Sequence, residues 1–290
     1  PDTFEQMLAE DTRNDKLFYR QTDAMPAESE NFVLTEEAPS DPAPQQPQEE
    51  IRLHNLVIDL TGQETERKEA EPYKAQNFHI TDDHLGEGGA KTKYAFNIAA
   101  IQTLKQIEAE GRQARPDEQE ILSRYVGWGG LPQAFDAENA SWQKEYQQLK
   151  SLLTDEEYAA ARGSTLNAHY TSPVVIRAMY EALDSMGFQS GNILEPSCGV
   201  GNFFGMLPES MSQSRLYGVE LDSITGRIAK MLYPQADITV AGFETTDRRD
   251  FYDLAVGNVP FGQYKVNDKA YNKLGFSIHN YFFAKAIDQV

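Results

Sequence analysis

The 290-residue sequence predicts an α/β protein, a doubly wound and mostly parallel sheet joined to a helical unit and preceded by an acidic tail. Three observations predict it. From about Leu166 short apolar strands alternate with helical patterns, the signature of a parallel sheet. Before that point the apolar spacing is helical only. Residues 1–90 hold 7 of the 26 Lys and Arg but 21 of the 45 Asp and Glu, so most of the net charge of −19 lies in the first third. Three segments follow: an acidic, largely disordered tail or linker over 1–76, a helical unit over 77–165, and a sheet domain over 166–290.

In the tail, the Pro-, Gln- and acid-rich stretch 36–50 buries too little apolar surface to offset its ordering entropy. Ile51–Leu60 alternates weakly and predicts one short strand. In the helical unit, apolar residues at 94, 98, 101, 104 and 107 predict a helix. Pro116, with Asp117 and Glu118 behind it, opens a second helix, expected to run to about Val126. The turn GWGG (127–130) follows, and its Trp128 reads as packing. Trp142–Leu153 and Thr154–Arg162 predict two more helices, the latter with a Thr154–Glu157 capping box.

In the sheet domain, Pro173–Met186 is a predicted helix. Asn192–Leu194 is a strand entering the glycine turn SCGVGN, and Phe203–Met211 is a helix. Leu216–Val219 and Ile238–Val240 are strands flanking a helix over Ser223–Tyr233. Tyr252–Val256 is a strand, and Ile278–Val290 an amphipathic helix. Ligands of such sheets sit at the carboxyl ends of the strands.

Composition excludes several classes. Cys198 is the single cysteine, so no internal disulfide or Cys-rich zinc site is available. No apolar run is long enough to span a membrane. The start has neither a basic n-region nor an apolar h-region of a signal peptide, and a cytoplasmic setting is the default expectation. The missing initiator Met leads to the expectation of a longer polypeptide. An acidic chain contacts phosphates poorly, so nucleic-acid binding requires local cations.

Three strand-end motifs carry the chemistry. In ILEPSCGVGNF (193–203), Gly199 and Gly201 permit close backbone approach, but the Lys-Ser/Thr of a phosphate loop is absent. In LYGVELD (216–222), Glu220 follows the glycine turn by about 20 residues, the spacing of a ribose-binding acid, while Asp222 stands where it caps the next helix. In DLAVGNVPFG (253–262), Asn258 offers an acceptor and a donor, Pro260 stiffens the loop, and Phe261 presents a flat face. Each motif alone is also an ordinary turn or solvated strand end.

Taken in order, HYTSP (169–173), EPSCGVGNF (195–203), GVELD (218–222) and NVPF (258–261) resemble S-adenosylmethionine-dependent adenine-N6 DNA methyltransferases, notably type I modification subunits. The stretch 77–136 resembles the large methylase–helicase proteins of bacterial conjugative elements and phages. The resemblance implies S-adenosylmethionine as cofactor, with Tyr170, Thr171 and Pro173 at its methionine end. It implies that Glu195 and the backbone at Cys198, Gly199 and Gly201 hold the amino-acid moiety, that Glu220 takes the ribose, and that Leu221 and Phe243 flank the adenine. Asn258, Val259, Pro260 and Phe261 would be catalytic, with Asn258 and the Val259 carbonyl accepting from the target amino group and Phe261 stacking on a flipped base. Val259 departs from the family's first proline, and AGFETT (241–246) departs from its usual third-motif Asp.

The resemblance further implies a sheet whose last strands lie beyond this segment, DNA as partner read mainly by regions outside it, helicase domains in the same polypeptide, and a restriction–modification setting. No metal is expected. Lys265, Lys269 and Lys273 could meet DNA phosphates or form a solvated face. A non-catalytic methyltransferase-like module and a protein-glutamine amide methyltransferase remain the open alternatives.

Overall fold

The computed structural model describes residues 74–290 except 167–169. The acidic tail up to residue 73, the expected strand at Ile51–Leu60, and His169 lie outside the described residues. Those described fall in one compact unit. Eight α-helices and four strands follow in order among them. They are α1 (Ala90–Ala109), α2 (Pro116–Ser123), α3 (Gln143–Leu152), α4 (Asp155–Gly163), α5 (Pro173–Ser185), β1 (Asn192–Glu195), α6 (Asn202–Gly205), β2 (Arg215–Glu220), α7 (Ser223–Leu232), β3 (Asp237–Val240), β4 (Leu254–Ala255) and α8 (Ile278–Gln289).

The four strands form one all-parallel sheet in the order β3-β2-β1-β4. The doubly wound α/β expectation therefore holds, and the order places β1, the strand bearing the glycine turn, between β2 and β4. Register pairs Glu195 of β1 with Gly218 of β2, two residues short of Glu220. Side chains alternate across the sheet as the pleat requires. Ile193 and Leu216 enter the core shared with the helical region, whereas Leu194 and Val219 enter a second core against α8.

The first core is continuous from helices to sheet. Tyr94, Ile98, Ile101 and Leu104 of α1 join Ile224, Ile228 and Leu232 of α7. Trp128 is buried edge-on between Tyr94 and Phe135, the packing role expected of it. Buried Asn97 holds the turn around it, donating to Gly127 O and accepting from Val126 N. Arg227 of α7 pairs with Glu108 and Glu157, and Lys105 also reaches Glu157, which links α1, α4 and α7.

Local signals explain most boundaries. The Thr154–Glu157 capping box forms, with Glu157 N donating to Thr154 Oγ1 at 3.2 Å and Thr154 N to Glu157 Oε2 at 3.0 Å. Asp222 caps α7, accepting from Thr225 N at 2.8 Å. Three elements differ from expectation. α2 ends at Ser123 rather than Val126, because Asn97 draws the Val126 N–H out of the helical pattern. The helix expected over Phe203–Met211 stops at Gly205, ahead of Pro208, and resumes only as a 3-10 turn at Glu209–Met211. β4 is two residues long, though Asp253 N to Asn192 O and Val256 N to Leu194 O, both 2.9 Å, continue its pairing with β1. No helix among the described residues is long and apolar enough to cross a membrane.

Candidate functional site

β1, β2 and β4 end side by side, and their carboxyl ends carry the motifs. Beyond β1, the Cys198 N–H donates to Val219 O at 2.9 Å, which pins the start of the glycine turn to the neighbouring strand. Gly199 then takes φ +56°, and a Cβ there would stand 3.0 Å from the Tyr170 ring. Gly201 takes φ +85°, where a Cβ would strike the Tyr233 ring at 2.5 Å. Gly201 therefore requires glycine on space as well as on backbone angle, and Gly199 chiefly on backbone angle.

Glu220 closes this turn. Its Oε2 accepts from Gly199 N at 2.9 Å and its Oε1 from Asp222 N at 2.8 Å. Burial pushes its carboxyl up to about 7, against the opposing pull of the backbone N–H groups of Asp222, Gly199 and Leu221. Each carboxylate oxygen still has a lone pair to spare. Leu221, next in line, is 76% exposed.

Glu195 is 3% exposed, and its Oε2 is buried with no hydrogen-bond partner. Burial, and then the nearby Glu220 charge, push its carboxyl well above the ordinary range. Its titratable surroundings also include Tyr180, Tyr233 and Cys198, whose own ionisation burial suppresses. A lone buried acceptor without a donor is costly, and a ligand cation is one way to satisfy it.

The segment after β4 passes over this carboxylate. Gly257 has φ +155°, and a Cβ on it would lie 3.1 Å from Glu195 Cγ and 3.8 Å from Pro196 Cδ. The missing side chain at Gly257 is what lets the chain cross Glu195 directly before Asn258. Asn258 is exposed, Val259 packs on the second core, Pro260 is half-buried, and Phe261 is 61% exposed. The structure thus brings Tyr170, Glu195, Gly199, Glu220 and the entry to Asn258 to one rim.

Other expected residues sit differently. Thr171 and Pro173 are partly buried at the start of α5. The Cys198 thiol is buried, and its backbone N–H and carbonyl are already bonded to Val219 O and Gly201 N. Phe243 is buried among Phe282, Tyr281 and the Lys285 ammonium of α8, so the protein's own side chains surround it. Gly257 was missed in sequence. Its signal was a glycine between a buried strand and Asn258, where close approach of another group is a standing reason for glycine. A cleft of about 480 Å³ elsewhere, lined by Phe135, Tyr146, Lys150, Tyr158 and Arg162, contains none of these residues.

No protein-family model matches the chain. Over 200 residues it is 25% identical to Defense against restriction protein B of Escherichia phage P1, covering 67% of this chain and 7% of that protein. Over 74 residues it is 36% identical to Type II methyltransferase M.CvrRI of Paramecium bursaria Chlorella virus XZ-6E, covering 26% of this chain and 19% of that protein. The chain therefore spans less than a fifth of either curated relative. A solved structure described as a class I S-adenosylmethionine-dependent methyltransferase, from Listeria monocytogenes, aligns over 67% of this chain and 69% of its own at 13% identity. Its TM-score of 0.32 is too low to support a conclusion. The stronger of the two sequence identities is thus to a methyltransferase.

Proposed function

We propose that the chain is the cofactor-binding and catalytic segment of an S-adenosylmethionine-dependent DNA methyltransferase that acts on the exocyclic amino group of adenine. The observation that carries the reading is the crossing of Gly257 over Glu195 beside Glu220, which joins the entry of the Asn258 segment to one buried and one half-buried carboxylate. The names of the two relatives, one concerned with restriction and one a type II methyltransferase, favour DNA over other amino-bearing substrates.

The residues present fit the cofactor. The orphaned Glu195 Oε2 suits an α-ammonium group. Glu220 has acceptor capacity left for ribose hydroxyls. Exposed Leu221 offers an apolar surface to a purine. Gly199, at φ +56°, turns the backbone at the end of β1, and its N–H is held by Glu220. When bound, S-adenosylmethionine supplies a methyl group on a sulfonium, so no covalent enzyme intermediate is required.

In this reading Asn258 Oδ1 and the Val259 carbonyl accept the two N–H bonds of the target amino group. That orients its lone pair and stabilises the positive charge that grows as the N–C bond forms. Neither group is a base, so the surplus proton leaves to water after transfer. Val259 replaces a stiffer proline but keeps the carbonyl, and its packing on the second core holds it in place. Exposed Phe261 stacks on a base that has left its duplex.

Calorimetry with S-adenosylmethionine tests the first half: micromolar-range binding is expected, weakened at least tenfold by Glu195→Gln. No binding by the wild-type chain overturns the reading. For the second half, labelled methyl transfer to duplex DNA is expected, recovered as N6-methyladenine and lost in Asn258→Ala. Methyl recovered on glutamine side chains of a protein substrate instead overturns the DNA assignment.

A further inference from the structure

The loop Gly262–Ser277 begins one residue after Phe261 and ends at α8, and the site as described uses none of it. It carries three lysines, 265, 269 and 273, and a single acid, Asp268. Asp268 is turned inward. Its Oδ2 accepts from Lys285 Nζ at 2.8 Å and from Tyr281 OH at 2.9 Å, and its Oδ1 from Ala270 N at 3.0 Å. Lys285 is itself buried and also donates to Glu244 O at 3.2 Å. The one negative charge of the loop is thus neutralised inside the protein by a lysine from α8. All three loop lysines are exposed, and none makes an ion pair with a described residue. In a chain of net charge −19, this loop presents three positive charges to solvent that no described acidic residue pairs.

The lysines also sit on a shaped surface. A cleft of about 230 Å³ lies between the two ends of the loop, walled by Lys265, Asn267, Asn272 and Phe276. Gly275, at φ +66°, forms one side, and the Lys265 ammonium would stand 3.7 Å from a Cβ placed there. Around Asp268 the backbone makes successive turns, Tyr271 N and Asn272 N both donating to Asp268 O, followed by Leu274 N to Tyr271 O. These fix the segment bearing Lys269 and Lys273. Cations held on an ordered backbone beside an amide-and-aromatic cleft match a chain of phosphodiesters with bases or sugars between them.

We infer that the loop 262–277 is a phosphodiester-binding surface that grips the DNA strand next to the adenine presented to Asn258. The inference rests on the DNA reading above. An acidic partner protein would also be drawn to three lysines. The position one residue beyond Phe261 favours the strand that delivers the base.

The test is binding of fluorescent duplex DNA to the 290-residue chain across a salt series, with S-adenosylmethionine affinity measured in parallel. Replacing Lys265, Lys269 and Lys273 together by Gln is expected to weaken DNA binding and to lower the salt slope by about 1 per lysine lost. Replacing all three by Arg is expected to preserve both. Cofactor affinity is expected to stay within twofold in each variant. If wild type and the Gln variant bind DNA with the same slope, the loop is not the grip and the inference falls while the functional reading stands. If the cofactor binds and DNA does not, the inference and the DNA assignment fall together. Preferential capture of poly-glutamate over DNA by the lysines overturns the inference in favour of an acidic protein partner.

Discussion

At the end of β1 the rim is largely buried and is cross-braced by Glu220 of β2, whereas beyond β4 it is exposed and held by one internal ion pair. On the first side, Glu220 is bonded to two backbone N–H groups, Gly199 and Gly201 both sit at positive φ, Gly201 has no space for a Cβ, and Glu195 is buried. On the second, Asn258 and Phe261 face solvent, and the following loop is organised around Asp268, Lys285 and Tyr281. Under the proposed function the difference suits two ligands of different kinds. A small molecule that meets a braced surface leaves little ordering to be done on binding. A base delivered by a long polymer needs an open approach and a surface that contacts what surrounds it.

The comparison breaks most sharply at Lys285. Lys285→Met leaves the Asp268 carboxylate buried without its cation, and is expected to cost about 3–5 kcal/mol. Limited proteolysis should then cut first within 262–277, while cofactor affinity stays near wild type; earliest cleavage around Gly199 would show that the two sides are not independently held. Gly201→Ala attacks the other side. The added Cβ meets the Tyr233 ring and the backbone sits at positive φ, so a loss of about 2–4 kcal/mol in urea unfolding is expected, with cofactor binding lost as well.

The buried side should also carry a pH signature. An unfolded Glu loses its proton near ~4.3, but burial keeps the folded Glu220 protonated up to about 7 and shifts Glu195 the same way. The folded state therefore binds more protons between those limits. Stability contributed by these groups is full below ~4.3 and declines as pH rises towards 7, by at most about 1.4 kcal/mol per pH unit for each group. Glu118 behaves oppositely. Hydrogen bonds from Arg112 hold it down to about 2, so its contribution is lost only as the medium becomes strongly acidic, outside this window. The urea midpoint is expected to fall between pH 5 and 7.5, and Glu195→Gln, which mimics the neutral acid, should flatten part of that fall. An unchanged slope would mean that Glu195 is not held protonated.

The smallest effect on stability is expected at Asn258. Asn258→Ala removes an exposed side chain and should move the urea midpoint by less than about 0.5 kcal/mol. Methyl transfer is nonetheless expected to drop by about 10²–10³-fold, the usual loss when one stabilising group for developing charge is removed. A large loss of stability would place Asn258 in the packing and weaken its catalytic assignment.

What the sequence determined by itself was local. Alternation of strand and helix, Thr154 and Asp222 as caps, glycine at 199 and 201, and the carboxylates at two strand ends depend on backbone angles, pleat and short-range hydrogen bonds, and these are written in neighbouring residues. What only the tertiary structure decided was which side chains face one another. That Gly257 crosses Glu195, that Asn97 cuts α2 short, and that Lys285 silences Asp268 all join residues from 17 to 62 positions apart, and the same packing leaves Glu195 Oε2 without a donor. Such pairings are set by the strand order β3-β2-β1-β4 and by close packing, neither of which any single stretch of sequence encodes.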